Sequence, residues 1–147
     1  MLGVPRTASV VPNVQEFDVS EARTISIIDD DESVRSSIED LVSSLGYVAH
    51  VFKSAEEFLT SPNHDETACL ITDLQMPGMS GQDLQRRLLA EGRTLPIIFI
   101  TAFPEKRVCE SVLAKGALAF LEKPFDCGHL VTLIQRAMTS DGVAERR

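Results

Sequence analysis

Short, almost wholly apolar runs alternate along this chain with longer stretches of helical periodicity. The runs read as strands at about Thr24 to Ile28, Tyr47 to Phe52, Ala68 to Thr72, Pro96 to Thr101 and Ala117 to Leu121. Because they are apolar nearly throughout, they suit strands covered on both faces. The first intervening helix carries Val34, Ile38, Leu41, Val42 and Leu45 at helical spacing, and Gly46 is its stop. The second spans about Ser54 to Leu59, with Ser54 as N-cap, Glu57 completing a capping box and Pro62 beyond its end. In the third, Ser80 caps, Asp83 faces the helix dipole, Leu84, Leu88 and Leu89 form the apolar stripe, and Gly92 ends it. The fourth covers about Glu105 to Lys115, with Val108 and Val112 inward and Gly116 terminating, and the fifth about Asp126 to Met138, with Leu130, Leu133, Ile134 and Ala137 inward. Residues 1–23 show neither period and contain Pro5 and Pro12, which predicts a poorly ordered or loosely attached extension. The folded unit is then 24–138, and Thr139 to Arg147 read as a frayed tail.

Five strand–helix pairs with right-handed crossovers predict an α/β fold, a doubly wound parallel sheet of order 2-1-3-4-5, flavodoxin-like. Ligands of such a sheet bind beyond the carboxyl ends of its strands. Polar groups stand at four of those ends: Asp29 and Asp30 after the first strand, Asp73 after the third, Thr101 at the fourth and Lys123 after the fifth.

An isolated aspartate before a Pro-Gly turn is ordinarily a turn former, but three carboxylates gathered at one edge repel one another. Lys123 offsets part of that charge, and an oxygen-only cluster suits Mg²⁺. Asp30 and Asp73 are the expected direct ligands, Asp29 acts mostly through water, and the main-chain carbonyl of Gln75 fills a further position. A carboxylate beside Mg²⁺ and a lysine is a nucleophile toward phosphorus, and the product is an acyl phosphate. Thr101 can then turn its hydroxyl to a phosphoryl oxygen and move the loop behind it.

Composition narrows the alternatives. The net charge of -8 opposes a phosphate-backbone footprint, so direct nucleic-acid binding is not expected. No apolar run approaches the roughly 20 residues that span a bilayer, which predicts a cytoplasmic protein without membrane contact. Cys69, Cys109 and Cys127 lack metal or disulfide spacing and read as buried free thiols, and His50, His64 and His129 make no metal set. Neither GxGxxG nor GxxxxGK[ST] occurs, and Asp29-Asp30-Asp31-Glu32 lacks the glycine and ligand spacing of an EF-hand. A phosphatase of the haloacid dehalogenase type also uses an aspartate and Mg²⁺, but it needs a second aspartate where this chain has Gln75.

The segments Ile28-Asp29-Asp30-Asp31-Glu32, Thr72-Asp73-Leu74-Gln75-Met76-Pro77-Gly78-Met79-Ser80-Gly81, Ile100-Thr101-Ala102 and Glu122-Lys123-Pro124-Phe125 resemble the receiver domain of two-component response regulators, most of all the FixJ-like branch. The resemblance implies that Asp73 accepts the phosphoryl group, Asp29 and Asp30 form the metal-binding pair, Lys123 pairs the phosphate, and Thr101 and Phe120 are switch residues. Many relatives carry tyrosine at the position of Phe120, so a phenolic hydrogen bond is lost there. It also implies a cis Lys123–Pro124 bond and a role for Gln75 and Phe103 in setting the lifetime of the phosphorylated form, with Phe103 as a shield. The implied partners are a histidine kinase or histidine phosphotransfer protein and a downstream protein target, reached through the fourth helix, fifth strand and fifth helix; a phosphorylation-dependent homodimer fits the same face. Self-phosphorylation and autodephosphorylation with Mg²⁺ are the only enzyme-like steps expected. Branch members usually add a DNA-binding domain, for which the residues after the fifth helix leave no room, so the chain is expected to be either a stand-alone receiver or a fragment.

Overall fold

The structure is a computed structural model that describes residues 23–144, with side chains as far as residue 139; the predicted extension, apart from Arg23, lies outside the described residues. Five strands, β1 (Thr24–Ile28), β2 (Val48–Phe52), β3 (Thr67–Asp73), β4 (Ile97–Thr101) and β5 (Ala119–Glu122), form one sheet in the order 2-1-3-4-5. All four pairings are parallel, as predicted. Helices α1 (Glu32–Ser44), α2 (Ala55–Thr60), α3 (Gly81–Ala90), α4 (Lys106–Ala114) and α5 (Cys127–Ala144) make the crossovers.

The strands are largely apolar because the sheet feeds two cores. Ile25 and Ile27, Cys69 and Ile71, Ile98 and Ile100, and Leu121 meet Ile38, Val42, Leu130 and Ile134 from α1 and α5. The alternate positions Ile28, Leu70, Ile97, Phe99 and the half-buried Phe120 meet Phe58, Leu84, Leu88 and Val112 from α2, α3 and α4. Period-two alternation within a continuous apolar run thus separates the two faces of the sheet.

Caps set where the helices start, and therefore where the strand-end loops stop. Asp31 Oδ1 accepts from the backbone N–H groups of Ser33 and Val34, so Asp31 is the N-cap of α1 rather than a member of the acidic group beside it. Ser80 and Asp83 form the reciprocal capping box of α3, and these cap hydrogen bonds hold the Asp83 carboxyl below its ordinary range. Ser54 caps α2 through Glu57 N at 3.0 Å, but the expected box does not close, because Glu57 Oε1 accepts from Lys53 N at 2.6 Å instead. Sequence periodicity placed the end of α5 at Met138, whereas the helix continues to Ala144. Arg23 already belongs to the folded unit, since its Nη1 donates to Met138 O at 3.2 Å. A short 3₁₀ turn at His64–Glu66 precedes β3 and carries no apolar signature that would have predicted it.

Candidate functional site

Parallel register brings the predicted residues to one edge of the sheet. Asp29 N donates to Phe52 O at the end of β1, Leu74 N to Ile100 O after β3, and Lys123 N to Thr101 O after β5. These bonds fix the first residues beyond three strands side by side. The Lys123–Pro124 bond is cis, as the resemblance implied.

Lys123 Nζ lies 3.0 Å from Asp29 Oδ2 and 3.1 Å from Asp73 Oδ2, bridging the ends of β1 and β3. Both carboxylates are buried while Asp30 faces water. Burial holds the Asp29 carboxyl above its ordinary value, against the Asp31 N–H and Lys123 and in concert with the negative Asp73. Burial acts to lower the Lys123 ammonium, yet its close contacts with the negative Asp29 and Asp73 leave it above the usual lysine value. Three carboxylates therefore face one ammonium.

One oxygen each from Asp29, Asp30 and Asp73 lies within 4.8 Å of the others. Asp29 Oδ2 is buried and, despite its ion pair, accepts no aligned hydrogen bond. An all-oxygen set with uncompensated negative charge fits a hard divalent cation. Among the described residues, no histidine or cysteine joins this cluster.

Gln75 takes a larger part than sequence reasoning gave it. Its backbone N–H donates to Asp73 Oδ1 at 3.1 Å, its side-chain Oε1 accepts from Thr101 Oγ1 at 2.9 Å, and its Nε2 donates to Phe103 O at 3.0 Å. Thr101 Oγ1 also accepts from Phe103 N at 3.1 Å and is fully buried. One residue thus links the Asp73 carboxylate to the Thr101 hydroxyl and to the loop behind β4. The Phe103 ring is 73% exposed, so the residue meets the site through its backbone rather than as the shield that the resemblance implied. Phe120 is half-buried in β5 opposite Phe99, within the core on the α4 side.

Two further constraints on the loop after Asp73 have no local sequence signal. Glu56 Oε2 on α2 accepts from Met79 N at 2.9 Å, beside Gly78 at φ +78. A Cβ on Gly81 would stand 2.4 Å from Asp73 O, so only glycine lets the start of α3 approach the end of β3 this closely. Of the cysteines, Cys69 and Cys109 are buried as expected, the Cys69 thiol pushed up to about 12 by burial, but Cys127 is exposed at the start of α5.

Comparison with known proteins identifies this arrangement. Residues 25–135 match the family model described as the response regulator receiver domain. The response regulator protein TodT of Pseudomonas putida is 38% identical over 117 residues, which are 80% of this chain and 52% of that protein. Transcriptional regulatory protein FixJ of Bradyrhizobium diazoefficiens is 32% identical over 114 residues, 78% of this chain and 56% of that one. The chain therefore spans about half the length of these curated relatives. The crystal structure of FixJ-N superposes with a TM-score of 0.70 at 33% identity, over 80% of this chain and 94% of that one. Among the described residues no helix is long and apolar enough to cross a membrane. With family match, sheet order and relatives in agreement, the chain belongs to the response regulator receiver domains of two-component systems.

Proposed function

We propose that this chain takes a phosphoryl group onto Asp73 from the phosphohistidine of a histidine kinase or histidine phosphotransfer protein. The observation that carries this reading is Lys123 Nζ within 3.1 Å of both Asp29 and Asp73, beside an acidic group short of positive charge. In the step, a carboxylate oxygen of Asp73 forms the new P–O bond as the P–N bond of the donor breaks, and the histidine leaves with the electron pair. Lys123 stays within reach of the phosphoryl oxygens and opposes their charge. Asp29, Asp30, Asp73 and the main-chain carbonyl of Gln75 would hold Mg²⁺, which supplies neutralisation of charge on the equatorial oxygens when bound. Later attack by water returns the free carboxylate, and no other turnover is assigned.

Thr101 must give up its bond to Gln75 Oε1 before it can meet a phosphoryl oxygen. That exchange moves the loop carrying Phe103 and frees the space that Phe120 can occupy, altering the α4–β5–α5 face. A downstream protein target, or a second phosphorylated copy of the chain, reads that face. Gln75→Leu removes the acceptor, and with it about 1 kcal/mol of restraint. The expected result is a Thr101 methyl resonance moved toward its position in phosphorylated wild type, a population shift of about fivefold; an unmoved resonance contradicts the role given to Gln75.

The direct experiment is incubation with Mg²⁺ and acetyl phosphate, read by intact mass. Wild type gains one phosphoryl group and Asp73→Asn gains none; equal gain by both overturns the reading. Metal binding has its own signature. With a dissociation constant of about 1 mM, about 10 mM Mg²⁺ stabilises the folded chain by about 1.4 kcal/mol. Thermal unfolding should show this shift in wild type and largely lose it in Asp30→Asn, whose exposed side chain is not needed for packing.

A further inference from the structure

The loop from Leu74 to Ser80 is held at both ends. On the side of the sheet, Leu74 N donates to Ile100 O, Gln75 N to Asp73 Oδ1 and Gln75 Nε2 to Phe103 O. At the far end, Ser80 N donates to Asp83 Oδ2 inside the cap of α3. Between these points runs the turn Met76-Pro77-Gly78-Met79, in which Pro77 has no N–H to give. Among the described residues, one hydrogen bond ties that turn to another element: Met79 N donates to Glu56 Oε2 at 2.9 Å.

The Glu56 carboxylate is seated directly against main chain. A Cβ on Gly78 would stand 2.7 Å from Glu56 Oε2, so glycine at φ +78 both makes the turn and leaves room for the oxygen. The helix that carries Glu56 has a fixed base. Ala55 and Phe58 are fully buried, the Phe58 ring meets Phe52 and His64 edge-on with ring centroids 5.4 and 5.7 Å away, and Ser54 caps the first turn. Met76 and the half-buried Met79 join the same core as Phe58. The Met76 N–H shares a planar peptide with the Gln75 carbonyl, so whatever fixes the turn also aims that oxygen.

We infer that Glu56 is a positioning residue for the phosphoacceptor site. From α2 its carboxylate holds Met79, and through the turn it holds the Gln75 carbonyl, an assignment that rests on the proposed Mg²⁺ role of that carbonyl. A charged acceptor holds an N–H more strongly than a neutral one, and groups that orient a metal's own ligands strengthen its binding without touching it.

The test is a Mg²⁺ titration of the ¹⁵N-labelled full chain, followed at the backbone amides of Gln75, Met76 and Met79 in wild type, Glu56→Gln and Glu56→Ala. Glutamine keeps an oxygen that accepts from Met79 N but removes the charge. Alanine removes both and suits an exposed helical position, so its folding is not in question. Mg²⁺ affinity is expected to stay within about twofold of wild type in Glu56→Gln and to weaken by about fivefold in Glu56→Ala, less than the effect of removing a group that touches the ligand itself. Before any metal is added, loss of the acceptor should move the Met79 amide proton upfield in Glu56→Ala, and less so in Glu56→Gln. Equal weakening in both variants would mean that Glu56 acts only through its charge, and wild-type affinity in Glu56→Ala would mean that the turn needs no hold; either overturns the inference. A wild type without saturable shifts up to about 10 mM Mg²⁺ would overturn the metal reading itself and this role with it, a failure distinct from the other two.

Discussion

Replacing Lys123 by methionine is expected to slow phosphorylation of Asp73 by acetyl phosphate by about a hundredfold to a thousandfold, the usual effect of removing one preorganised charge from a transition state. Methionine keeps most of the apolar stem, so the change isolates the ammonium. That ammonium stands 3.0 Å from Asp29 and 3.1 Å from Asp73, where each attraction is about 5 kcal/mol at an effective dielectric near 20. Without it, the phosphoryl oxygens would approach two buried carboxylates with no lysine to oppose their charge. Initial rates by intact mass at saturating Mg²⁺ give the comparison, and a rate within about threefold of wild type would remove Lys123 from the mechanism.

The same substitution has a pH signature in the absence of divalent cations. Asp29 is already held above its ordinary value of 3.8, chiefly by burial, and losing Lys123 raises it further. A carboxyl whose folded value exceeds its unfolded one stabilises the fold most below the unfolded value, and this contribution is lost as pH rises through the folded value. Lys123→Met should therefore gain stability more steeply than wild type as pH falls from neutral toward 4. Parallel unfolding profiles would contradict the ion-pair account.

Gly81→Ala is expected to destabilise the fold by about 3 kcal/mol, because the added methyl overlaps main chain rather than a movable side chain. Its Cβ would lie 2.4 Å from Asp73 O and 3.0 Å from both Leu74 Cα and the Phe99 ring. Relief requires α3 to move away from β3, which breaks the 2.9 Å bond from Gly81 N to Leu74 O and releases the loop that positions Asp73. Folding and phosphorylation should fall together. Gly92→Ala, at φ +78 with nothing near its Cβ, serves as the comparison that carries backbone strain without the overlap. Chemical denaturation decides, and a loss at Gly81 below about 1 kcal/mol would mean that the close approach is not needed.

What the sequence made legible follows from the range of each interaction. Sheet order and the gathering of Asp29, Asp30, Asp73, Thr101 and Lys123 at one edge come from apolar runs and their polar terminators, which are local patterns. The capping of α3 was readable for the same reason, since Ser80 and Asp83 lie three residues apart. Glu57 was misassigned because Lys53 N and Ser54 N are adjacent donors, and spacing cannot choose between them. The Gln75–Thr101 bond, the Glu56–Met79 bond and the fit of Gly81 against Asp73 join residues from different elements, so only the folded chain reveals them. Phe103 shows the converse, because an aromatic residue beside the site suggests a cover, yet its exposed ring contributes little burial.

The central claim is that Asp73, and no other acid of the cluster, carries the phosphoryl group. Borohydride reduces an acyl phosphate to the alcohol, leaving homoserine in place of the modified aspartate. After phosphorylation with acetyl phosphate and Mg²⁺, reduction and proteolysis, peptide sequencing by mass spectrometry should find homoserine at position 73. Homoserine at position 29 or 30, or none at all in a chain whose intact mass shows phosphorylation, would contradict the account.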